Sequence, residues 1–250
     1  MEKIVIKYYK KPRLSNPVLI SGLPGIGNVG KITVDYLIEK LKPERLLDII
    51  SEHFPPQVFI DSNSVVSIAK NTMYYKKRRG KSDLIFLTGD FQGTSQEGQY
   101  ELSSKILEIC KELKVSMIYT LGGYSIGRIV DNPRVLGAVT DIDLIDDISR
   151  AGVIFPKGEP AGGIVGSAGL MLGLGKEVFN MKGACLMGET SGYFADPKGA
   201  IAILRALTRI IDVTVDEKDI EEKARQIEEI TEKMKEETTS KNRDDLNYFG

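Results

Sequence analysis

The sequence predicts an α/β protein in which helices cover a mixed, mostly parallel sheet. Short apolar runs, typical of buried strands, alternate with segments of helical periodicity along most of the chain. A hairpin pattern interrupts this alternation, because two β-branched runs flank a polar turn at residues 61–63. A parallel sheet with crossover helices and one antiparallel insertion accounts for both observations.

The strand predictions rest on short, continuous apolar runs without helical spacing. They fall at residues 18–21, 46–51, 58–60, 65–69, 83–88, 115–121, 135–139 and 184–187, and residues 73–75 extend the meander.

Three segments have the apolar spacing of amphipathic helices, namely residues 31–41, 96–113 and 197–211. Asp141 and Asp196 stand where helices begin, since an aspartate accepts hydrogen bonds from the free amides of a first turn. Pro197 suits that first turn, because its fixed backbone angle is already helical.

Composition argues against several classes of partner. The 250 residues carry 34 Lys and Arg against 35 Asp and Glu, a net charge of −1, so no global field attracts nucleic acid or a membrane. The basic run at residues 76–81 is interpreted as a solvated turn between strands.

Cys110 and Cys185 lie in apolar runs and cannot form a disulfide framework. We expect a cytoplasmic protein, since no signal-peptide pattern or membrane-spanning run is found.

A glycine-rich loop is the strongest motif inside the chain. Gly25, Gly27 and Gly30 have the spacing of a dinucleotide-binding turn between a strand and a helix, and Glu52 lies near the distance expected for a ribose ligand. Glycines are equally required wherever a tight turn or close packing leaves no room for a side chain. Further glycine turns at residues 122–127 and 162–169 are predicted to line the same edge of the sheet.

The residues needed for common kinds of catalysis are not found in recognisable patterns. His53 is the one histidine, no set of residues has metal-ligand spacing, and no serine lies in a nucleophile elbow. Four acids are candidates for an acid pair across the glycine edge, namely Asp90, Glu97, Asp131 and Glu189. The sequence therefore predicts no catalytic residue, metal site or cofactor. The alternative is an enzyme or binding protein for a nucleotide or other phosphate-bearing small molecule that uses the Gly25–Gly30 loop.

The C-terminal region has a different pattern. Residues 216–237 are predicted to form an amphipathic helix with a narrow apolar stripe set among Glu and Lys. The stripe comprises Ile220, Ala224, Ile227 and Met234. Two interpretations stay open, since such a stripe packs either on its own domain or against a neighbouring subunit and so joins a homo-oligomer.

Residues 238–250 are predicted to form a flexible, polar tail that ends in Tyr248, Phe249 and Gly250. Aromatic side chains avoid water, so two of them after a polar tether indicate a segment that docks into a pocket of another protein. The expected organisation is an α/β core over residues 1–215, the helix over 216–237 and this tail.

Five motifs together resemble the archaeal branch of the proteasome assembly chaperone family, over about residues 14–215. They are Gly22–Gly30 (GLPGIGNVG), Gly89–Gln92 (GDFQ), Gly122–Tyr124 (GGY), Pro133–Gly137 (PRVLG) and Gly188–Tyr193 (GETSGY). The resemblance implies a three-layer, phosphorylase/hydrolase-like α/β sandwich without a demonstrated reaction. It also implies a homo-oligomer that binds proteasome α-subunits, and it leaves a paralogous chaperone open as a further partner.

The resemblance extends to the C-terminus, where such proteins end in a hydrophobic residue, a tyrosine and any last residue. Tyr248 takes the hydrophobic position here, Phe249 replaces the tyrosine and Gly250 is last. Phe249 keeps the ring and loses a hydroxyl hydrogen bond, a net loss of about 1 kcal/mol. We therefore expect a proteasome-binding factor or assembly chaperone that engages α-subunits through several copies of a weak tail.

Overall fold

A computed structural model describes residues 3–159, 162–222, 224 and 225 of the chain. The internal contacts of the chain divide it into two compact units, one ending at Val215 and one beginning at Asp216. The predicted tail and most of the predicted C-terminal helix lie outside the described residues.

Ten strands are found among the described residues. They are β1 (Ile4–Tyr8), β2 (Val18–Ser21), β3 (Glu44–Ser51), β4 (Val58–Ile60), β5 (Val66–Ile68), β6 (Asn71–Lys76), β7 (Leu84–Gly89), β8 (Met117–Ser125), β9 (Val135–Val139) and β10 (Gly183–Thr190).

Eight of these strands form one mixed sheet in the order β1-β3-β6-β7-β2-β8-β10-β9. The α/β class is confirmed, and the expectation of a mostly parallel sheet is wrong. Only the three central pairs, β7-β2, β2-β8 and β8-β10, are parallel, whereas the other four are antiparallel. Helical segments lie between the successive parallel strands along the chain. The antiparallel strands flank this parallel centre, with β1, β3 and β6 on one side and β9 on the other.

Strands β4 and β5 form a separate two-stranded antiparallel sheet, which confirms the predicted hairpin. Val58 pairs with Ile68, and Ile60 pairs with Val66. The turn is held by Asp61, whose Oδ1 accepts hydrogen bonds from the amides of Asn63 and Val65 at 2.8 and 3.0 Å.

Five α-helices are found among the described residues of the first unit, and four of them pack in two pairs. The helices are α1 (Val29–Leu41), α2 (Gln96–Glu112), the short α3 (Ile145–Ser149), α4 (Ser167–Glu177) and α5 (Pro197–Ile210). Helix α1 packs with α5, and α2 packs with α4. The apolar cluster that contains residues of α2 and α4 includes Leu19 and Ile85 and leaves out their neighbours Ile20 and Phe86. Because neighbouring strand residues face opposite sides, the two pairs cover the two faces of the sheet and give three layers.

Helical turns begin after both predicted aspartates, but only Asp196 caps the first turn with its side chain, since Asp141 makes no such bond. The side chain of Asp196 accepts a hydrogen bond from the amide of Gly199 at 3.0 Å at the start of α5. Asp141 precedes a 3-10 turn, Ile142–Leu144, that leads into α3. Two elements were not predicted: strand β1, whose residues are only half-buried or exposed, and helix α4.

The core contains the central strands and the apolar faces of the helices. Leu19, Ile20, Ile85 and Phe86 have no exposed surface. Among the described residues, we find no helix with both the length and the apolar character that spanning a bilayer requires.

Candidate functional site at the glycine-rich edge

The parallel strands place several glycine loops at one edge of the sheet. Strands β2, β7, β8 and β10 run in the same direction, so their carboxyl ends meet there. The loops that follow them, together with residues 162–166 before α4, define the glycine-rich edge. This edge was predicted from the sequence.

Most glycines of the first loop serve packing. A side chain at Gly22 would collide with the backbone of Gly30, and one at Gly30 would collide with the carbonyl of Leu121 in β8. Gly27 has a φ of +60°, a conformation that side chains disfavour. These three glycines therefore allow the start of α1 to lie directly on β2 and β8.

The geometry does not support a dinucleotide site at this loop. Glu52, the candidate ribose ligand, follows β3, and strands β6 and β7 separate β3 from β2. Three strand spacings amount to roughly 14 Å. In a dinucleotide-binding fold the acidic residue follows the strand adjacent to the glycine loop, so Glu52 is misplaced for that role.

A cavity of about 250 Å³ opens at the glycine-rich edge. Its walls are mainly apolar side chains and glycine backbone, and among the described residues that line it none is charged. The lining residues are Leu23, Gly25, Ile26, Gly30, Gln92, Leu121, Gly122, Gly123, Tyr124, Ser125, Gly163, Ile164, Val165, Ala168, Cys185 and Met187.

Two polar side chains of this cavity, Gln92 and Ser125, already have partners within the protein. Gln92 donates a hydrogen bond to the carbonyl of Pro24 at 2.6 Å and accepts one from the amide of Ser167 at 2.9 Å. Ser125 donates to the carbonyl of Ser191 at 3.1 Å. Gln92 thus joins the first glycine loop to α4. A phosphate would find no basic side chain among the described residues of these walls to balance its charge.

The four candidate acids do not form an acid pair. Asp90 accepts a hydrogen bond from the amide of Lys70, Glu97 binds Lys3, and Asp131 binds Lys198. Each carboxylate is thus engaged at a different place in the fold.

Glu189 is the one buried member of this group, with 5% of its side chain exposed. Its Oε1 accepts hydrogen bonds from Nε and Nη2 of Arg134 at 2.7 and 2.5 Å, and its Oε2 accepts one from the amide of Arg134 at 2.9 Å. These bonds hold the pKa of Glu189 below its ordinary value. A carboxylate held in this way fixes the loop before β9 to the end of β10.

His53 also has a structural environment. Its Nε2 lies 2.8 Å from Oε2 of Glu101, whose Oε1 accepts a hydrogen bond from Lys3 at 3.0 Å. The bonds from His53 and then from Lys3 lower the pKa of Glu101 to about 2. The ring also packs against Gly98, so this network joins the end of β3 to helix α2.

The two cysteines are buried, and burial raises the pKa of Cys110 to about 12 and that of Cys185 to about 11. Thiolate chemistry therefore receives no support at the two cysteines.

Within the basic run, Arg78 donates hydrogen bonds to the carbonyls of Ser82 and Ile211 at 2.6 Å each. Lys77, Arg79 and Lys81 of the basic run are exposed in the turn between β6 and β7.

The predicted binding tail, Tyr248, Phe249 and Gly250, lies outside the described residues. So do Ile227 and Met234 of the predicted stripe. Residues 218–222, 224 and 225 are helical, and Ile220 and Ala224 are 1% and 6% exposed. The role of this stripe in oligomerisation stays a prediction.

Comparisons with known proteins identify the class of protein to which this fold belongs. The crystal structure of Pyrococcus furiosus PbaB, described as an archaeal proteasome activator, is 40% identical, with a TM-score of 0.89, over 94% of this chain and 100% of that one. The P. furiosus protein PbaA, described as an archaeal homolog of proteasome-assembly chaperone, has the same fold at 24% identity and a TM-score of 0.78, over 97% and 95% of the two chains.

A sequence comparison places the chain in a family. The profile of the PAC2 family matches residues 19–235. An uncharacterized protein of Methanocaldococcus jannaschii, MJ1210, is 34% identical over 94% of this chain and 90% of its own. The chain belongs to the PAC2 family, and the resemblance to proteasome assembly chaperones is confirmed at the level of the family.

Proposed function

We propose that this protein is a proteasome-binding factor, an activator or assembly chaperone, that acts as a homo-oligomer and without catalysis. The observation that carries the proposal is the 40% identity with PbaB, which extends over 94% of this chain. A non-enzymatic role is supported by the site, because the candidate acids and His53 are engaged in structural contacts and the four acids do not form an acid pair.

The binding element in this proposal is the tail that ends in Tyr248, Phe249 and Gly250. Its two rings would fill an apolar pocket between α-subunits, and the carboxylate of Gly250 would pair with a lysine there, a bond worth about 1.5–3 kcal/mol. The last 15 residues, as a flexible tether, would reach roughly 20–23 Å. Several tails on one oligomer would then bind one ring of α-subunits with a gain in avidity.

Capture of assembled rings of α-subunits by the full-length protein tests the proposal. Deletion of residues 248–250 is expected to abolish capture without changing the mass of the oligomer, whereas Asn247→Ala, a neighbouring change outside the motif, is expected to preserve capture. Phe249→Tyr restores the hydroxyl and is expected to tighten binding about fivefold, the equivalent of ~1 kcal/mol. Undiminished capture by the deleted protein would refute the tail as the binding element.

The phosphate-binding alternative is weakened by the uncharged walls of the cavity. A thermal-shift screen with nucleotides and dinucleotides tests it directly. A true ligand at 100 times its dissociation constant would add ~2.7 kcal/mol of stability, so a clear shift in melting temperature would support that alternative.

A further inference from the structure

The β4-β5 hairpin has two chemically different faces. Residues that pair across two antiparallel strands lie on the same face, and alternate residues lie on opposite faces. Pairing of Val58 with Ile68 and of Ile60 with Val66 therefore puts all four on one face. We call this set the outer hairpin face. Phe59 lies on the opposite face and stacks on Phe91, with ring centroids 6.2 Å apart.

The outer hairpin face is exposed within the single chain. Val58, Ile60, Val66 and Ile68 are 55%, 69%, 64% and 49% exposed. Isolated two-stranded sheets are only marginally stable in water and normally require a packed face. The stacking of Phe59 on Phe91 covers part of one face only, so four aliphatic side chains remain in contact with solvent.

The strands of the hairpin carry none of the usual protection against association. Neither β4 nor β5 contains a charged residue or a proline, which are the features that normally keep exposed strands apart. The nearest charge on the hairpin, Asp61, accepts amide hydrogen bonds in the turn. A second copy of this face would therefore meet no like charge from these strands.

We propose that the outer hairpin face packs against the same face of a second copy of this chain. This inference rests on the self-association that the proposed function includes, and it assigns a surface to it. A two-fold axis brings identical patches together, and a flat aliphatic face is complementary to itself. All four side chains are β-branched and stiff at χ1, so they lose little conformational freedom on packing.

The amount of surface fits the core of an interface between copies. The four residues expose roughly 400 Å² on each copy, about half of what one partner contributes to a standard interface. Interfaces between identical subunits are more apolar in their centres than other interfaces and are surrounded by a polar rim. The outer hairpin face thus provides the apolar centre, and residues around the hairpin provide the remaining contacts.

The molar mass of the full-length protein, measured by light scattering over a range of concentrations, tests the proposal. Val66→Asp places a charge in the centre of the outer hairpin face and is expected to lower the mass, or to raise the dissociation constant at least tenfold. Ser62→Asp adds the same charge to the turn of the same hairpin and is expected to leave the mass unchanged. The double variant Ile60→Thr, Val66→Thr keeps β-branched shapes and removes apolar surface, so it is also expected to weaken association. It replaces Val66→Asp in this test if that variant does not fold.

The possible results separate the surface from the function. A folded Val66→Asp protein with wild-type mass would overturn the assignment of this surface and leave self-association intact. A wild-type protein that is monomeric at all concentrations would refute self-association itself. Unchanged mass with loss of α-subunit capture would mean that the face binds the proteasome, which also overturns the proposal.

Discussion

Gly30 determines how closely helix α1 approaches the sheet. A β-carbon at this position would collide with the carbonyl of Leu121, which belongs to the backbone of β8 and cannot rotate away. We expect Gly30→Ala to lower the free energy of unfolding by ~1–3 kcal/mol, because the helix would have to move off the sheet. Urea unfolding measures this change.

Gly173 offers a matched control for the same substitution. It is an exposed helical residue of α4, and a β-carbon there would have no neighbouring heavy atom within 4 Å. Gly173→Ala is expected to stabilise the protein by ~0.5–1 kcal/mol, since alanine favours helices. Equal effects at both positions would contradict the packing role of Gly30.

The buried Glu189 predicts a defined dependence of stability on pH. Its pKa in the folded protein lies below the ordinary value of 4.5, because Arg134 donates hydrogen bonds to the carboxylate. Its stabilisation is therefore complete above pH 4.5 and decreases as the pH falls through the lower, folded-state pKa.

Glu189→Gln tests this prediction. We expect it to cost ~1–3 kcal/mol at pH 7, because Arg134 loses its buried charged partner, and the difference from wild type should shrink in acid. Glu159→Gln removes the more exposed partner of the same arginine and should cost less than 1 kcal/mol. A pH-independent difference between Glu189→Gln and wild type, measured by urea unfolding at several pH values, would contradict the assignment.

At the scale of elements, the sequence predicts best where one periodicity dominates. Continuous apolar runs identified the central strands, and the β-branched runs around residues 61–63 identified the hairpin. Helix α4 was missed because Gly169, Gly173 and Gly175 lower its helical propensity and extend the pattern of a glycine turn. The excess of antiparallel pairs was missed because a strand's apolar pattern does not show the direction of its neighbour.

The predicted C-terminal helix leads to a testable prediction about self-association. If the stripe at Ile220, Ala224, Ile227 and Met234 joins subunits, Ile227→Asp should lower the molar mass measured by light scattering, because it places a charge in an apolar seam. Arg225→Asp is the control, since the side chain of Arg225 is exposed and forms an ion pair with Glu222 at 2.6 Å. An unchanged mass for Ile227→Asp would favour packing of the stripe on its own domain.

For the whole molecule, the sequence predicted that the glycine loops lie at one edge of the sheet. It did not predict the side-chain contacts at that edge. Parallel strands bring their carboxyl ends together by topology, so the edge followed from the order of strands and loops. The role of Gln92, which joins the loop at Pro24 to the amide of Ser167, depends on residues 68 and 75 positions away in the chain. The exposure of the outer hairpin face is likewise a property of the tertiary structure, since the same aliphatic pattern usually indicates a buried strand.

The proposed function makes a prediction that belongs to the whole assembly. If single tails bind weakly and several act together, capture of α-subunits should depend on the number of tails in each oligomer. Full-length subunits are mixed and refolded with subunits lacking residues 248–250, and capture is measured against the fraction of tails. Capture should fall more steeply than that fraction, because oligomers with one or two tails lose most of the avidity. Mixing with Asn247→Ala subunits should leave capture unchanged, which controls for the refolding step. A decrease in simple proportion to the tail fraction would mean that each tail binds independently, and the oligomer would then contribute nothing to affinity.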